Sequence, residues 1–198
     1  MKKQSRIRKK KRAEIEIITG MYLLVLLVVL VAAQMQMSLF RVSASFVEDA
    51  VAASNLASAV IDIKEYGKTH TIRISSPGRA YELYREAVRE NLQLDENWEN
   101  SNKDMICGRV EILKYEIYNV TGKDVTIYSF GAEGEQVETV SGGLGNVRTP
   151  DGTIVTSTSV YSRIGFPVRG IFGLEIAAQK EKTVDIVSNL LPEEEKTK

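Results

Sequence analysis

One cysteine and one histidine are all that 198 residues hold of the side chains most used for transition metals and nucleophile–base pairs. Cys107 has no second thiol to pair with, which excludes an intrachain disulfide, and its expected role is that of a small buried apolar residue. His70, flanked by Thr69 and Thr71, reads as a surface residue. No nucleophile-elbow sequence accompanies it, so Ser-His-Asp chemistry lacks a framework. The glycine-rich stretch Gly142 to Gly145 does not end in the Gly-Lys-Ser/Thr of a phosphate loop. The carboxylate pairs Glu133 with Glu135 and Asp62 with Glu65 lack the Asp/Asn/Gly spacing of a calcium loop. The expectation is a protein that is not an enzyme, with no catalytic, metal or cofactor-binding residues.

Acidic residues are missing before Glu14, while Lys2, Lys3, Arg6, Arg8, Lys9, Lys10, Lys11 and Arg12 crowd the same stretch. The zero net charge therefore hides an asymmetry, because from residue 34 onward 18 basic residues face 24 acidic ones. A body of net charge −6 offers no general attraction to nucleic acid. Ile17 to Ala33, IITGMYLLVLLVVLVAA, carries no charge and just suffices to cross a hydrocarbon core. Arg6, Arg8, Lys9, Lys10, Lys11 and Arg12 lie wholly on its N-terminal side and set the topology, with the N-terminus retained in the cytoplasm and contacting anionic lipid. A cleaved secretory signal is the competing expectation, since Val31-Ala32-Ala33 would suit signal peptidase.

Glycine and proline are absent from Met21 to Tyr66. Leu39, Val42, Phe46, Ala50, Ala53, Ala57 and Val60 recur at helical steps, predicting that the membrane helix continues as an amphipathic stalk over residues 34–66 until Gly67 stops it. Arg41, Ser45, Glu48, Asp49, Asn55 and Asp62 are expected on its other side. Its Ala/Ser richness permits close approach by a sheet of the same chain or by a neighbouring helix.

Beyond it, Ser76 and Pro77 open a second helix ending near Leu94, with Ala80, Tyr84, Ala87, Val88 and Leu92 as its stripe. Residues 95–104 read as a polar loop, in which Trp98 either tucks onto the body or stays exposed for a partner. Short β-branched and aromatic runs at Ile106 to Val120, Val125 to Phe130, Thr153 to Ile164 and Ile171 to Ala178 read as antiparallel strands, with a bulge at Ile112 and Leu113 and a further short strand at Val184 and Ile186. Thr121-Gly122-Lys123-Asp124 is the first turn. The fold class expected is α+β: a long N-terminal helix, a second helix and a small antiparallel sheet. Residues 1–16 form the cytoplasmic segment, 17–33 the span, 67–191 the extracytoplasmic head and 192–198 a frayed charged tail.

This organisation resembles the type IV pilin-related proteins, and more narrowly the TadE-like pseudopilins of tight-adherence pilus systems. The segments that carry the resemblance are KKKRAEIEIITGMYLLVLLVVLVAAQMQ, PGRAYELYREAVRENLQLDENW, RVEILKYEIYNV and TSTSVYSRIGFPVRGIFGLEIAAQKEKTVDIV. It implies a pilin-like fold in a single-pass, non-enzymatic structural component of a pilus or related secretion apparatus. The implied partners are membrane lipid, other pilin-like subunits and assembly-platform proteins. In that setting Glu14 or Glu16 takes the place of the pilin acidic residue that neutralises a neighbour's N-terminal amine, since a carboxylate in lipid needs such a partner. The processing pattern departs from the family's, because Arg12 and Lys10 stand where a small residue is wanted and Ala13 is the one small candidate. A membrane-tethered binding or adhesion module is the expectation from a different class.

Overall fold

The structure, a computed structural model, describes residues 2–100, 106–131, 134–170 and 174–186, with side chains from residue 15 onward. The chain divides into two compact units, Met1–Val42 and Ser43–Lys198. The first is wholly helical where described and belongs to α1 (Lys2–Ser58), which also supplies the opening residues of the second.

In the second unit, α1 is followed by α2 (Ile63–Thr69) and α3 (Pro77–Asn91). A five-stranded sheet follows, made of β1 (Glu111–Thr121), β2 (Asp124–Gly131), β3 (Gly134–Val140), β4 (Ser159–Arg169) and β5 (Glu175–Asp185). Its order is β3-β2-β1-β4-β5 and every pairing is antiparallel. The expected α+β class, with its long first helix, is what the chain adopts.

Alternation along β1 assigns the two faces. Tyr115, Ile117 and Asn119 point to the helices. Tyr115 stacks on Tyr84 of α3 at 4.6 Å between ring centres, and Tyr81 stacks on Phe130 at 4.9 Å. Asn119 both accepts from the Ile74 backbone N–H and donates to the Ile74 carbonyl, each at 2.9 Å, pinning the segment between α2 and α3. On the opposite face Tyr118, Val125, Val155 and Tyr161 form a buried cluster, against which Leu144 and Val147 pack. The connection of residues 141–158 is thus a lid over half of the outer face. Gly143 is buried there, where a Cβ would meet the Val140 carbonyl at 3.0 Å and Val147 Cγ2 at 2.9 Å.

Several expectations need correcting. The stalk helix ends at Ser58, not at Tyr66, and a separate helix with an Asp62 N-cap takes over, the Asp62 carboxylate accepting from the N–H groups of Lys64 and Glu65. Gly67 lies inside α2, and His70, at φ +54, is the residue that ends it. The buried stripe of α1 is also displaced: Ser43, Val47, Ala50, Val51, Ser54, Asn55 and Ser58 face the sheet. Leu39, Val42, Ala53, Ala57 and Val60 are exposed. The pattern of small apolar residues misled because serines and one asparagine, satisfied by hydrogen bonds, allow the helix to approach the strands as closely as alanine does.

Helix α3 ends at Asn91, three residues before the expected Leu94, and the Ser76 side chain makes no capping bond although Pro77 occupies the first turn. Residues 153–158 form part of the lid, so β4 starts at Ser159 and runs on through Pro167 to Arg169. Pro167 is tolerated because β1 pairs with β4 only as far as Gly165, and its carbonyl accepts from the Cys107 N–H at 3.0 Å. Strand β3 was not expected. In place of a strand over Ile171 to Ala178 and a second at Val184 and Ile186 there is the single strand β5, which starts at Glu175, includes Val184 and ends before Ile186, with residues 171–173 outside the described set. The β1 register shift between Ile112 and Lys114 is the expected bulge.

Candidate functional site

The first candidate surface is the apolar run of α1. From Ile15 to Val31 the large apolar side chains are exposed, between 45% at Leu26 and 69% at Tyr22, on every side of the helix. This is the one helix among the described residues long and apolar enough to cross a membrane. In water so continuous a hydrophobic cylinder would be strongly unfavourable, and lipid or other apolar helices are the surroundings that suit it. Arg6, Arg8, Lys9, Lys10, Lys11, Arg12, Ala13 and Glu14 lie on α1, but their side chains fall outside the described set. Glu16 is exposed on the same helix.

The last turns of α1 are bound to the sheet by a polar seam. Asn55, fully buried, donates from Nδ2 to the Lys182 carbonyl at 2.9 Å and accepts at Oδ1 from Ser162 Oγ at 2.7 Å. Tyr115 donates its hydroxyl to Ser58 Oγ at 2.8 Å, and Asn91 of α3 donates to Ser54 Oγ at 3.0 Å. Closer to the start of the unit, Glu48 receives Lys180 Nζ at 2.7 Å and Lys182 Nζ at 2.8 Å. Those two charged hydrogen bonds, Lys180's first, hold the Glu48 carboxyl pKa down at about 2, and the bond to Glu48 pushes the Lys182 ammonium pKa up. The signal available in the sequence was the serine spacing alone, which does not identify its partners.

On the uncovered half of the outer face, Glu116 is only 4% exposed. Its carboxylate accepts from Lys114 Nζ at 2.8 Å, Tyr118 hydroxyl at 2.5 Å and Ser129 Oγ at 3.0 Å. Burial first, and then the bond to Glu116, raise the Tyr118 hydroxyl pKa. Tyr161 donates similarly to Glu181 at 2.6 Å. With three donors on its two oxygens and almost no exposure, Glu116 is configured for structure.

A third region is an open cleft of about 490 Å³ where α3 meets the start of β1. Tyr81, Arg85, Trp98, Arg109 and Glu111 line it, above the half-buried Ile112 and Leu113. The Arg85 guanidinium lies 5.5 Å from the centre of the Trp98 ring and 6.0 Å from that of Tyr81. Sequence reading singled out Trp98 alone. Tyr81 and Arg85, one helical turn apart beside the chain's single tryptophan, were the available clue.

The remaining singled-out residues are dispersed. His70 is exposed and meets Tyr66 edge to face, whereas Cys107 is half-buried with burial raising its thiol pKa. Asp62 caps α2, Glu135 is exposed on β3, and Glu133 lies outside the described residues. Among the described residues no three His, Cys, Asp or Glu side chains converge as a metal would require. Gly142 and Gly145, at φ +65 and +77, shape the turn that enters the lid. No protein-family model, no curated protein and no solved structure matches the chain.

Proposed function

We propose that the chain is a membrane-anchored, non-enzymatic structural subunit of the pseudopilin or minor-pilin kind, working in a Tad-type pilus or a related secretion apparatus. Its N-terminus is cytoplasmic, its α+β unit is extracytoplasmic, and its partners are lipid, other pilin-like helices and an assembly platform. The observation that carries this reading is the all-round apolar exposure of Ile15 to Val31, on the same helix that later supplies the core face Ser43 to Ser58. A helix used only as a tether has no need to be built into the fold it holds. The basic cluster preceding the span supports the orientation.

The test is disulfide scanning in native membranes. Single cysteines placed from Leu23 to Leu30 in a Cys107→Ser chain should cross-link to a second copy of the chain at positions three and four apart. Monomers at every position, with the chain still in the membrane, would overturn assembly through this helix. A membrane-tethered binding module is the second reading, favoured by the aromatic and cationic cleft beside Trp98.

A further inference from the structure

We infer that the cleft between Tyr81 and Trp98 is a binding site for a carboxylated saccharide. The inference goes beyond the assembly role, and it stands whether or not the chain enters a filament.

The cleft is deliberately shaped. Trp98 has φ +66, a left-handed backbone that a bulky side chain rarely adopts. Four hydrogen bonds hold it there. The Trp98 N–H donates to the Asp95 carbonyl at 3.1 Å and the Val110 N–H to the Trp98 carbonyl at 2.8 Å. The Asp95 carboxylate accepts from the N–H groups of Asn97 at 2.8 Å and Glu99 at 3.0 Å. The loop thus spends binding energy to keep a half-buried indole at a cleft edge, and strain of that sort concentrates at functional sites.

The lining then selects the ligand. Arg85 lies near two aromatic rings, which fixes its guanidinium as a planar donor without a long side chain's usual entropy cost. With Arg109 it makes two guanidinium forks, the geometry that suits a carboxylate. Glu111 adds an acceptor for hydroxyls, the Trp98 Nε1–H and the Tyr81 hydroxyl add polar tips, and the aromatic edges offer surface to the C–H faces of a sugar ring. The aliphatic part of the lining is confined to Val110, Ile112 and Leu113, while charged and aromatic side chains make up most of the rest, which suits a polar ligand better than an apolar anchor. Against the two cations the lining sets one carboxylate, Glu111, and a neutral sugar would leave the remaining positive charge unmet.

Trp98 is the chain's single tryptophan, so its emission reports on the site directly. Full-length protein in detergent micelles is titrated with oligogalacturonate and a sialylated oligosaccharide, with neutral maltohexaose and poly-glutamate as comparison probes. Saturable change in Trp98 emission is expected with at least one carboxylated sugar. Maltohexaose and poly-glutamate should bind at least tenfold more weakly, and Arg85→Gln and Arg109→Gln should each weaken binding at least tenfold with unchanged circular dichroism. The inference is overturned if neither acidic sugar binds by emission or calorimetry. It is equally overturned if maltohexaose or poly-glutamate binds as well as they do, or if both variants bind like the parent. None of these results bears on cross-linking through the apolar helix, so the two proposals fail separately.

Discussion

Asn55 and Ser162 meet across the interface between α1 and β4, the serine hydroxyl donating to the asparagine oxygen at 2.7 Å while the asparagine amide reaches the Lys182 carbonyl. One side chain thereby satisfies groups on two adjacent strands, in full burial. Replacing it with leucine removes both bonds and leaves Ser162 and the Lys182 carbonyl without them. Asn55→Leu should destabilise the folded unit by about 2–4 kcal/mol, read from chemical unfolding of the full chain in detergent.

Acid should weaken the attachment of α1 to β5. The Glu48 carboxyl is held at about 2 against an ordinary 4.5. A depressed carboxyl contributes stability that is fully present above pH 4.5 and is lost as the pH falls toward 2. Its side chain is 36% exposed, so solvent screening limits the contribution to about 1 kcal/mol. Glu48→Gln should lose that amount at pH 7 and show a shallower decline in acid. Some decline should persist through Asp151, where burial acts to raise the pKa but the hydroxyls of Thr149 and Thr183 and the Thr153 N–H hold it down.

Two buried tyrosines should respond oppositely to loss of their hydroxyls. Tyr115 donates to Ser58, so Tyr115→Phe should cost about 1 kcal/mol. The buried Tyr84 hydroxyl, by contrast, makes no hydrogen bond among the described residues. Tyr84→Phe should be neutral or slightly stabilising. Paired thermal melts check both, and equal destabilisation would contradict this assignment.

Gly143→Ala should cost about 1–3 kcal/mol, because the added methyl meets a backbone carbonyl that cannot swing aside. Gly122, with open space around its Cβ position, is the contrast: its substitution by alanine is strained only through its φ of +62. Proteolysis of the 141–158 connection, faster in Gly143→Ala, is the measurement.

Leu26→Arg together with Val28→Arg places two charges near the middle of the apolar run, each costing about 3 kcal/mol for insertion. The double variant should become extractable at alkaline pH, whereas the parent should resist. Parent chain recovered in the soluble fraction without detergent would remove the basis for the membrane reading.

What the sequence made legible was whatever rests on long apolar patterns or on turn chemistry. The apolar run, the Pro77 start of α3 and the Thr121 to Asp124 turn all announce themselves locally. Strand β3 does not, because Gly134-Glu-Gln-Val-Glu-Thr-Val is exposed up to the half-buried Val140 and exists by pairing with β2. The true face of α1 was hidden for a related reason: Ser54, Asn55 and Ser58 read as solvent residues until their partners, up to 127 positions away, are known. The cleft joins Arg85 to Arg109 through the fold, and periodicity carries no information about such a meeting.

Helix α1 serves two units, and its interior-facing residues begin only at Ser43, after an apolar run that closes by Ala33. The nine residues 34–42 thus lie between the apolar run and the first buried side chain of α1, so a cut among them would leave the buried face Ser43 to Ser58 joined to the sheet. A cut farther along α1 would strip the sheet of part of its covering helix, so a fragment that begins within Ser43 to Ser58 should unfold more readily than one that begins before it.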